Sequence, residues 1–171
     1  EIDKAEGVYL FSHSGEKYMD LISVVSVSNT GHRHPKVVKA IIEQVDSYLH
    51  LMVYGEMIQS PQVKYAMKLT EILPKSLGSC FFVNSGSEAV EGALKLAKRF
   101  TGRSRLVSFK NSYHGSTHGA LSIQGSELYR NAFRPLLPDV YQAEFNNENS
   151  LELIDPETAC VIIEPVQAEA G

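Results

Sequence analysis

The sequence predicts an α/β protein with a mostly parallel sheet. Short apolar runs typical of buried strands alternate with amphipathic helical patterns, and this alternation is typical of the fold class. The 171 residues are 43% hydrophobic and 21% charged, which suits one domain with a sizeable core. The formal charge is −4 and the basic residues are scattered among acids, so we expect no nucleic-acid partner and no membrane surface as partner.

The first third predicts strands followed by helices. Two β-type runs, 8–11 and 18–22, are joined by Ser-Gly and predict a hairpin or a meander. Apolar residues then recur at helical spacing from Pro35, and a second helix is predicted from Ser60. No apolar run is long enough to cross a bilayer and no charged-then-apolar leader is seen, so we expect a cytoplasmic protein.

The second part alternates strands with helices. The run SCFFV at 79–83 predicts a buried strand that leads directly into a helix, and further strands are predicted at 105–109, 139–143 and 159–165. Glu91 and Lys95 are expected to form an i,i+4 pair on the outside of that helix. Its predicted buried stripe consists of Ala89, Val90, Ala93, Leu94, Ala97 and Phe100.

Two cysteines, Cys80 and Cys160, lie beside apolar runs. We expect reduced thiols in the core, since neither spacing nor context supports a disulfide or a metal pair. His32 and His34 are two residues apart in TGHRHP, where we favour a turn before the helix over metal binding because no third ligand is near. No metal site is therefore expected.

A polar turn, Asn84-Ser85-Gly86-Ser87, lies between the predicted strand and helix. Backbone N–H groups at a helix start have no internal acceptor, so the turn suits a phosphate, although Ser85 and Glu88 also have the spacing of an ordinary capping box. Walker-type and GxGxxG spacings are missing, so a small phosphorylated cofactor is the remaining phosphate ligand.

Two further groups follow predicted strands. Tyr113 and His114 could offer a flat face beside the phosphate site, or could be a surface-loop tyrosine with a capping histidine. Glu164 and Glu169 could orient a cofactor, pair with a substrate-recognising arginine, or simply be solvated.

Taken together, four ordered motifs resemble the class III pyridoxal-phosphate aminotransferases. They occupy residues 7–37, 81–99, 113–122 and 161–171, and the resemblance covers essentially the whole chain. It implies a type I pyridoxal-phosphate fold with a mixed, mainly parallel sheet. Residues 1–50 would belong to a small domain and 51–171 to the first part of the large domain.

The resemblance also implies roles for single residues. The amides of Gly86 and Ser87 would bind the phosphate of pyridoxal 5'-phosphate, with Ser85 alongside. Tyr113 would stack on the pyridine ring and His114 would support the stack. Near the same ring would lie Glu164, and the gate-type glutamate that pairs with a substrate-binding arginine would be Glu169.

The implied reaction transfers an amino group from an amino donor to a 2-oxo acid, in a homodimer whose active sites form between subunits. The exposed-looking stretch with Met52, Tyr54 and Met57 suits that contact or a core-packing connector. The family's cofactor-binding lysine and pyridine-binding aspartate match no residue here, so we expect a truncated chain whose catalytic residues lie downstream. The alternatives are an aminomutase, decarboxylase, racemase or phospho-lyase, or a non-catalytic module.

Two positions depart from one subgroup of the family. Ornithine and acetylornithine aminotransferases usually have an arginine where Ser116 lies, and ornithine-type enzymes have a tyrosine at the position that aligns with Val25. Serine lacks the positive charge of arginine, and valine lacks the hydroxyl of tyrosine, so two partners of a substrate carboxylate are missing. Ornithine and acetylornithine are therefore less favoured as amino donors.

Overall fold

The structure is a computed structural model that describes residues 1–52 and 54–171. Two compact units divide the chain, Glu1–Glu71 and Ile72–Gly171. Within the described residues, no helix combines the length and apolar character that crossing a membrane requires. The α/β class with a parallel sheet is confirmed by the elements of the second unit.

The first unit begins with a three-stranded antiparallel sheet in the order β1-β2-β3. Its strands are β1 (Ile2–Glu6), β2 (Tyr9–Ser12) and β3 (Lys17–Met19). The hairpin of β2 and β3 was predicted, with Tyr9 opposite Met19. Strand β1 was missed because IDKAE is mostly polar and exposed and carries no apolar alternation.

The remaining elements of the first unit are helical. The turn α1 (Ser23–Ser26) has left-handed backbone angles throughout, with φ between 52° and 64°. Both predicted helices are confirmed as α2 (Pro35–Ser47) and α3 (Ser60–Ile72). Helix α2 begins with Pro35 at its first turn, where the missing N–H costs no hydrogen bond.

The second unit is built on a parallel sheet in the order β5-β4-β6. The predicted strands appear as β4 (Arg105–Phe109), β5 (Val140–Ala143) and β6 (Thr158–Val161). Strand β4 is central, and Leu106 pairs with Val140 on one side and Cys160 on the other. Parallel pairing places the loops after β4 and β6 at the same edge of the sheet.

Helices surround these strands. They are α4 (Gly86–Thr101), α5 (His118–Ser122) and α6 (Glu127–Arg130), with the 3-10 turns η1 (Asn131–Phe133) and η2 (Glu148–Leu153). Gly102 ends α4 in the left-handed conformation that a C-terminal cap needs. The core has one cluster of Leu94, Leu106 and Ile123, and another of Val107, Phe109 and Ala143.

Three local predictions were wrong in this unit. The segment 79–83 is not a strand, since neither sheet of the described chain includes it, and Phe81 is 84% exposed. The stripe on α4 is buried only at Leu94, whereas Phe100 is 88% exposed. An apolar period predicts which residues share a helix face, but burial also requires a neighbouring element over each turn of that face.

The third wrong prediction concerns Glu91, which was expected to face outward beside Lys95. Its carboxylate instead accepts hydrogen bonds from the start of α5.

The cysteines are both free thiols and both are partly buried, which agrees with the expected reduced state but not with full burial. Burial raises the pKa of the Cys160 thiol, against a smaller opposite effect of Lys98, so this group is held protonated.

Candidate functional site

The start of α4 carries a reciprocal capping box. The Ser85 hydroxyl accepts a hydrogen bond from the Glu88 amide at 3.2 Å, and the Glu88 carboxylate accepts one from the Asn84 amide at 2.7 Å. Ser85 has the extended backbone of an N-cap, with φ −150° and ψ 161°. The capping alternative considered for this turn is therefore present.

Capping leaves two amides of the first turn available. Among the residues that the structure describes, no acceptor bonds the N–H groups of Gly86 or Ser87. A Cβ built on Gly86 meets no atom within 4 Å, so the space beside this turn is open. Unpaired amides at the positive end of a 16-residue helix attract anions. The capping box and an anion therefore use different donors and do not compete.

The loop after β4 carries the aromatic ring. The Tyr113 amide donates a hydrogen bond to the Glu164 carboxylate at 2.9 Å, and the ring is 39% exposed. Its hydroxyl lies 3.2 Å from the Ser116 hydroxyl, and the Tyr129 ring contacts it edge-on with centroids 6.2 Å apart. One side of the ring is thus packed while part of its surface stays accessible to a ligand.

His114, the residue after this tyrosine, is buried. Its Nε2 finds no hydrogen-bond partner within the described part of the chain. Burial lowers the pKa of His114, and the negative charge of Glu164 opposes that effect only in part. The imidazole is therefore mainly neutral at neutral pH, with one polar nitrogen still to be satisfied.

A hydrogen bond joins the first turn of α4 to the aromatic loop. The Ser116 amide donates to the Ser87 hydroxyl at 3.2 Å, across 29 positions of sequence. Together with the bond between Tyr113 and Glu164, it brings three predicted site residues into one cluster. These are Ser87, Tyr113 and Glu164.

Two further positions, Glu169 and Val25, were considered for the substrate. Glu169 is exposed, and its carboxylate makes no hydrogen bond or ion pair with the residues that the structure describes. Val25 lies in the other compact unit, with its side chain 74% exposed and a left-handed φ of 56°. A left-handed backbone is unfavourable for a β-branched residue, so this turn is strained at Val25.

One buried polar residue of the site escaped the sequence analysis. Gln167 lies between Glu164 and Glu169, and its side-chain amide donates to the Lys110 carbonyl at 2.9 Å. It ties the segment after β6 to the residue after β4. Its position between two acidic candidates was the one available signal, because a glutamine carries no charge that marks a site.

The two histidines near α2 have separate roles. His32 Nε2 lies 2.7 Å from the Asp20 carboxylate, which also accepts the amides of Ile22 and Ser23. The bond from His32 is the main cause of the lowered pKa of Asp20. His34 is the N-cap residue of α2, as expected of a turn before Pro35. Within the described residues, no group of three metal-ligating side chains is found.

The chain matches one known protein family over its full length. The profile "Aminotransferase class-III" matches residues 1–171. The chain belongs to the class III aminotransferase family. This confirms the resemblance seen in the four sequence motifs.

Individual class III aminotransferases are similar over nearly the whole chain. Acetylornithine aminotransferase of Archaeoglobus fulgidus is 44% identical over 171 residues, covering 99% of this chain and 44% of that protein. The crystal structure of adenosylmethionine-8-amino-7-oxononanoate aminotransferase from Methanocaldococcus jannaschii superposes with a TM-score of 0.86 at 35% identity, covering 94% of this chain and 40% of that one.

A further solved structure is that of a ligand complex. Taurine:2-oxoglutarate aminotransferase from Bifidobacterium kashiwanohense, in complex with pyridoxal phosphate and glutamate, matches with a TM-score of 0.83 at 27% identity. It covers 94% of this chain, which in turn covers 41% of it. The chain spans less than half the length of the curated class III aminotransferases that it matches.

Proposed function

We propose that this chain is the cofactor-binding part of a pyridoxal-phosphate-dependent aminotransferase. The natural full-length protein would move an amino group from an amino acid or amine donor to a 2-oxo acid. The observation that carries the proposal is a pair of hydrogen bonds made by the aromatic loop. Its Ser116 amide donates to the Ser87 hydroxyl at 3.2 Å, and its Tyr113 amide donates to the Glu164 carboxylate at 2.9 Å. The pair combines an anion site with an accessible ring at one edge of the sheet.

The residues present fit a ligand with a phosphate beside a flat heteroaromatic ring. The unpaired amides of Gly86 and Ser87 and the open space beside them suit the phosphate, with the Ser85 hydroxyl next to them. The accessible ring of Tyr113 suits stacking, and the unpartnered Nε2 of buried His114 suits a polar group nearby.

Each of these groups would have a defined task. Gly86 and Ser87 would hold the phosphate, Tyr113 would orient the ring, and Glu164 would fix the loop that carries Tyr113. Bound pyridoxal phosphate would supply an electron sink that makes proton removal from the amino donor feasible. We propose that the lysine and aspartate that complete the site lie outside these 171 residues, and that residues 1–50 and 51–171 belong to a small and a large domain.

The identity of the donor is a separate proposal. Similarity to an acetylornithine aminotransferase supports acetylornithine, whereas Ser116 and Val25 offer no cation to a substrate carboxylate. In the structure the Ser116 amide is bonded to Ser87, and its hydroxyl lies beside that of Tyr113. We propose that Ser116 does not bind the donor's carboxylate. Glu169, exposed after β6, would pair with a substrate-binding arginine elsewhere in the protein.

A donor panel tests the function directly. The natural full-length protein is incubated with pyridoxal phosphate, amino donors that include acetylornithine, taurine and simple amines, and either 2-oxoglutarate or pyruvate. Turnover that depends on the keto acid is expected. Release of carbon dioxide or phosphate, racemisation, or an internal amino shift without any keto-acid requirement would assign the protein to another chemistry of the same fold. Cofactor binding without turnover would indicate a non-catalytic module.

We also propose a homodimer. Met52, Tyr54 and Met57 are exposed in the described structure, which favours a contact surface over the core-packing connector considered from the sequence. Analytical ultracentrifugation of the natural protein tests this, and a monomer at micromolar concentration would contradict it. A cytoplasmic location stays a prediction, which cell fractionation tests.

A further inference from the structure

One face of α4 carries two polar side chains that contact the aromatic loop. Ser87 and Glu91 are four residues apart, so they are neighbours on the helix surface. Ser87 accepts the amide of Ser116, and Glu91 accepts the hydroxyl of Thr117 at 2.7 Å. The loop is thus bonded to the same helix that begins at the proposed phosphate site.

Glu91 binds more than one group of the loop. Its Oε1 also accepts the backbone amides of Gly119 at 2.8 Å and Ala120 at 3.1 Å, which belong to the first turn of α5. First-turn amides have no acceptor within their own helix, and the Thr117 side chain makes no capping bond to them. Glu91 therefore serves as the cap of α5 from a different helix, through charge-assisted bonds.

Glycines make the approach possible at both contacts. A Cβ on Gly115 would lie 2.8 Å from the Cβ of Ser87, and Gly115 has a φ of 123°. A Cβ on Gly119 would lie 2.8 Å from the Glu91 carboxyl carbon. The backbone of the loop therefore lies directly against α4, where the hydrogen bonds prevent it from moving away and contact prevents it from moving closer.

The charge state of Glu91 agrees with this role. Partial burial raises its pKa, but the hydrogen bonds from Thr117, Ala120 and Gly119 outweigh burial, so that the pKa lies below its ordinary value. The carboxylate is therefore ionised at neutral pH.

We propose that Glu91 is a positioning residue that fixes the loop of Tyr113 against α4. The inference rests on the proposed function, in which Tyr113 stacks on the ring of pyridoxal phosphate and the amide of Ser87 holds its phosphate. Because Glu91 and Ser87 lie on one face of α4, the phosphate site and the ring site keep a fixed separation. Loss of the Glu91 carboxylate then weakens ring binding without removing the phosphate site.

The test uses Glu91→Gln and Glu91→Ala in the natural full-length protein. Glu152→Gln and Glu152→Ala serve as controls, because Glu152 is exposed and its carboxylate makes no hydrogen bond or ion pair within the described residues. Hydrogen exchange of peptides covering 113–122 is measured without cofactor. The affinities for pyridoxal phosphate and for inorganic phosphate are measured separately, together with the visible circular dichroism of the bound cofactor.

For Glu91→Ala we expect exchange at Gly119 and Ala120 about tenfold faster and pyridoxal phosphate bound about tenfold more weakly, with phosphate affinity changed less than about twofold. The dichroism band of bound pyridoxal phosphate is expected to shrink as the loop loses its fixed position. Glu91→Gln keeps an acceptor oxygen without the charge, so intermediate effects are expected, and this variant decides the test if the alanine variant does not fold.

Several results would overturn the inference. One is exchange and cofactor affinity in both Glu91 variants equal to those of the Glu152 controls; another is an equal loss of affinity for both ligands, which would indicate general destabilisation. Failure of the proposed function gives a different result, because the wild-type protein would then bind no pyridoxal phosphate. In that case the exchange rates still show whether Glu91 holds the loop, while its role toward a cofactor falls.

Discussion

The backbone amide of Tyr113 donates a 2.9 Å hydrogen bond to the carboxylate of Glu164. The two residues are 51 positions apart and follow β4 and β6, which are neighbours in the parallel sheet. The bond therefore joins the loop that carries the aromatic ring to the segment that carries the acidic residues.

Replacing Glu164 by glutamine is expected to lower the pKa of His114 further. The negative charge of Glu164 raises the pKa of this buried imidazole, and glutamine removes that charge while keeping an acceptor for the Tyr113 amide. An NMR titration of the imidazole measures the change. The matched control is Glu157→Gln, an exposed position, and an equal His114 titration in both variants would contradict the assignment.

Stability is expected to fall as the solution is acidified, through His114. Burial holds its folded pKa below the ordinary value of 6.5, so between the two pKa values the unfolded chain binds more protons than the folded one. The contribution is thus fully present above pH 6.5 and is lost as the pH falls through the folded pKa. Urea unfolding at a series of pH values measures it, and His114→Gln should flatten the slope in this range; an unchanged slope would refute the explanation.

Gly115→Ala is expected to destabilise the chain by about 2 kcal/mol or more. The new Cβ would lie 2.8 Å from the Ser87 Cβ at a φ of 123°, so both contact and backbone conformation oppose it. Gly78→Ala is the control, since its Cβ would meet no atom within 4 Å, and a change below about 0.5 kcal/mol is expected there. Chemical denaturation compares the two, and equal stabilities would show that the close approach is not real.

Leu94→Ala is expected to cost about 3 kcal/mol, as is usual when a large aliphatic side chain is removed from a core. Leu94 is 3% exposed and packs with Leu106 and Ile123. Leu128→Ala should change the free energy of unfolding by less than about 0.5 kcal/mol, because Leu128 is 86% exposed. Thermal or urea unfolding of the 171-residue chain distinguishes them, and a similar cost at both positions would disprove the assigned core.

The elements that could be predicted are those with a clear apolar period. Helices α2, α3 and α4 repeat apolar residues at helical spacing, and strands β4 and β5 are short runs whose length suits a strand. Strand β1 has no such period and forms through backbone pairing with β2. The segment 79–83 has the composition of a strand, but a strand also needs a paired neighbour, and composition carries no information about which neighbour is present.

The placement of candidate site residues was predictable where it depends on local position in the chain. Ser85, Gly86 and Ser87 lie at a helix start, and Tyr113 and Glu164 follow neighbouring strands, so fold class alone indicated that they could meet. Glu91 was misjudged because the i,i+4 rule considers only the helix itself. Its real partners, Gly119 and Ala120, come from 28 and 29 residues further along the chain.

The contact between Glu91 and Gly119 has a consequence for how this sequence can diverge. A side chain larger than hydrogen at 119 would strike the carboxylate, and a shorter acid at 91 would leave the start of α5 without its acceptor. We therefore expect a lone change at either position to disturb the contact, and a change at one position to be accompanied by a change at the other. The helix and the loop share one evolutionary constraint, which should appear as covariation of positions 91 and 119 once sequences are aligned.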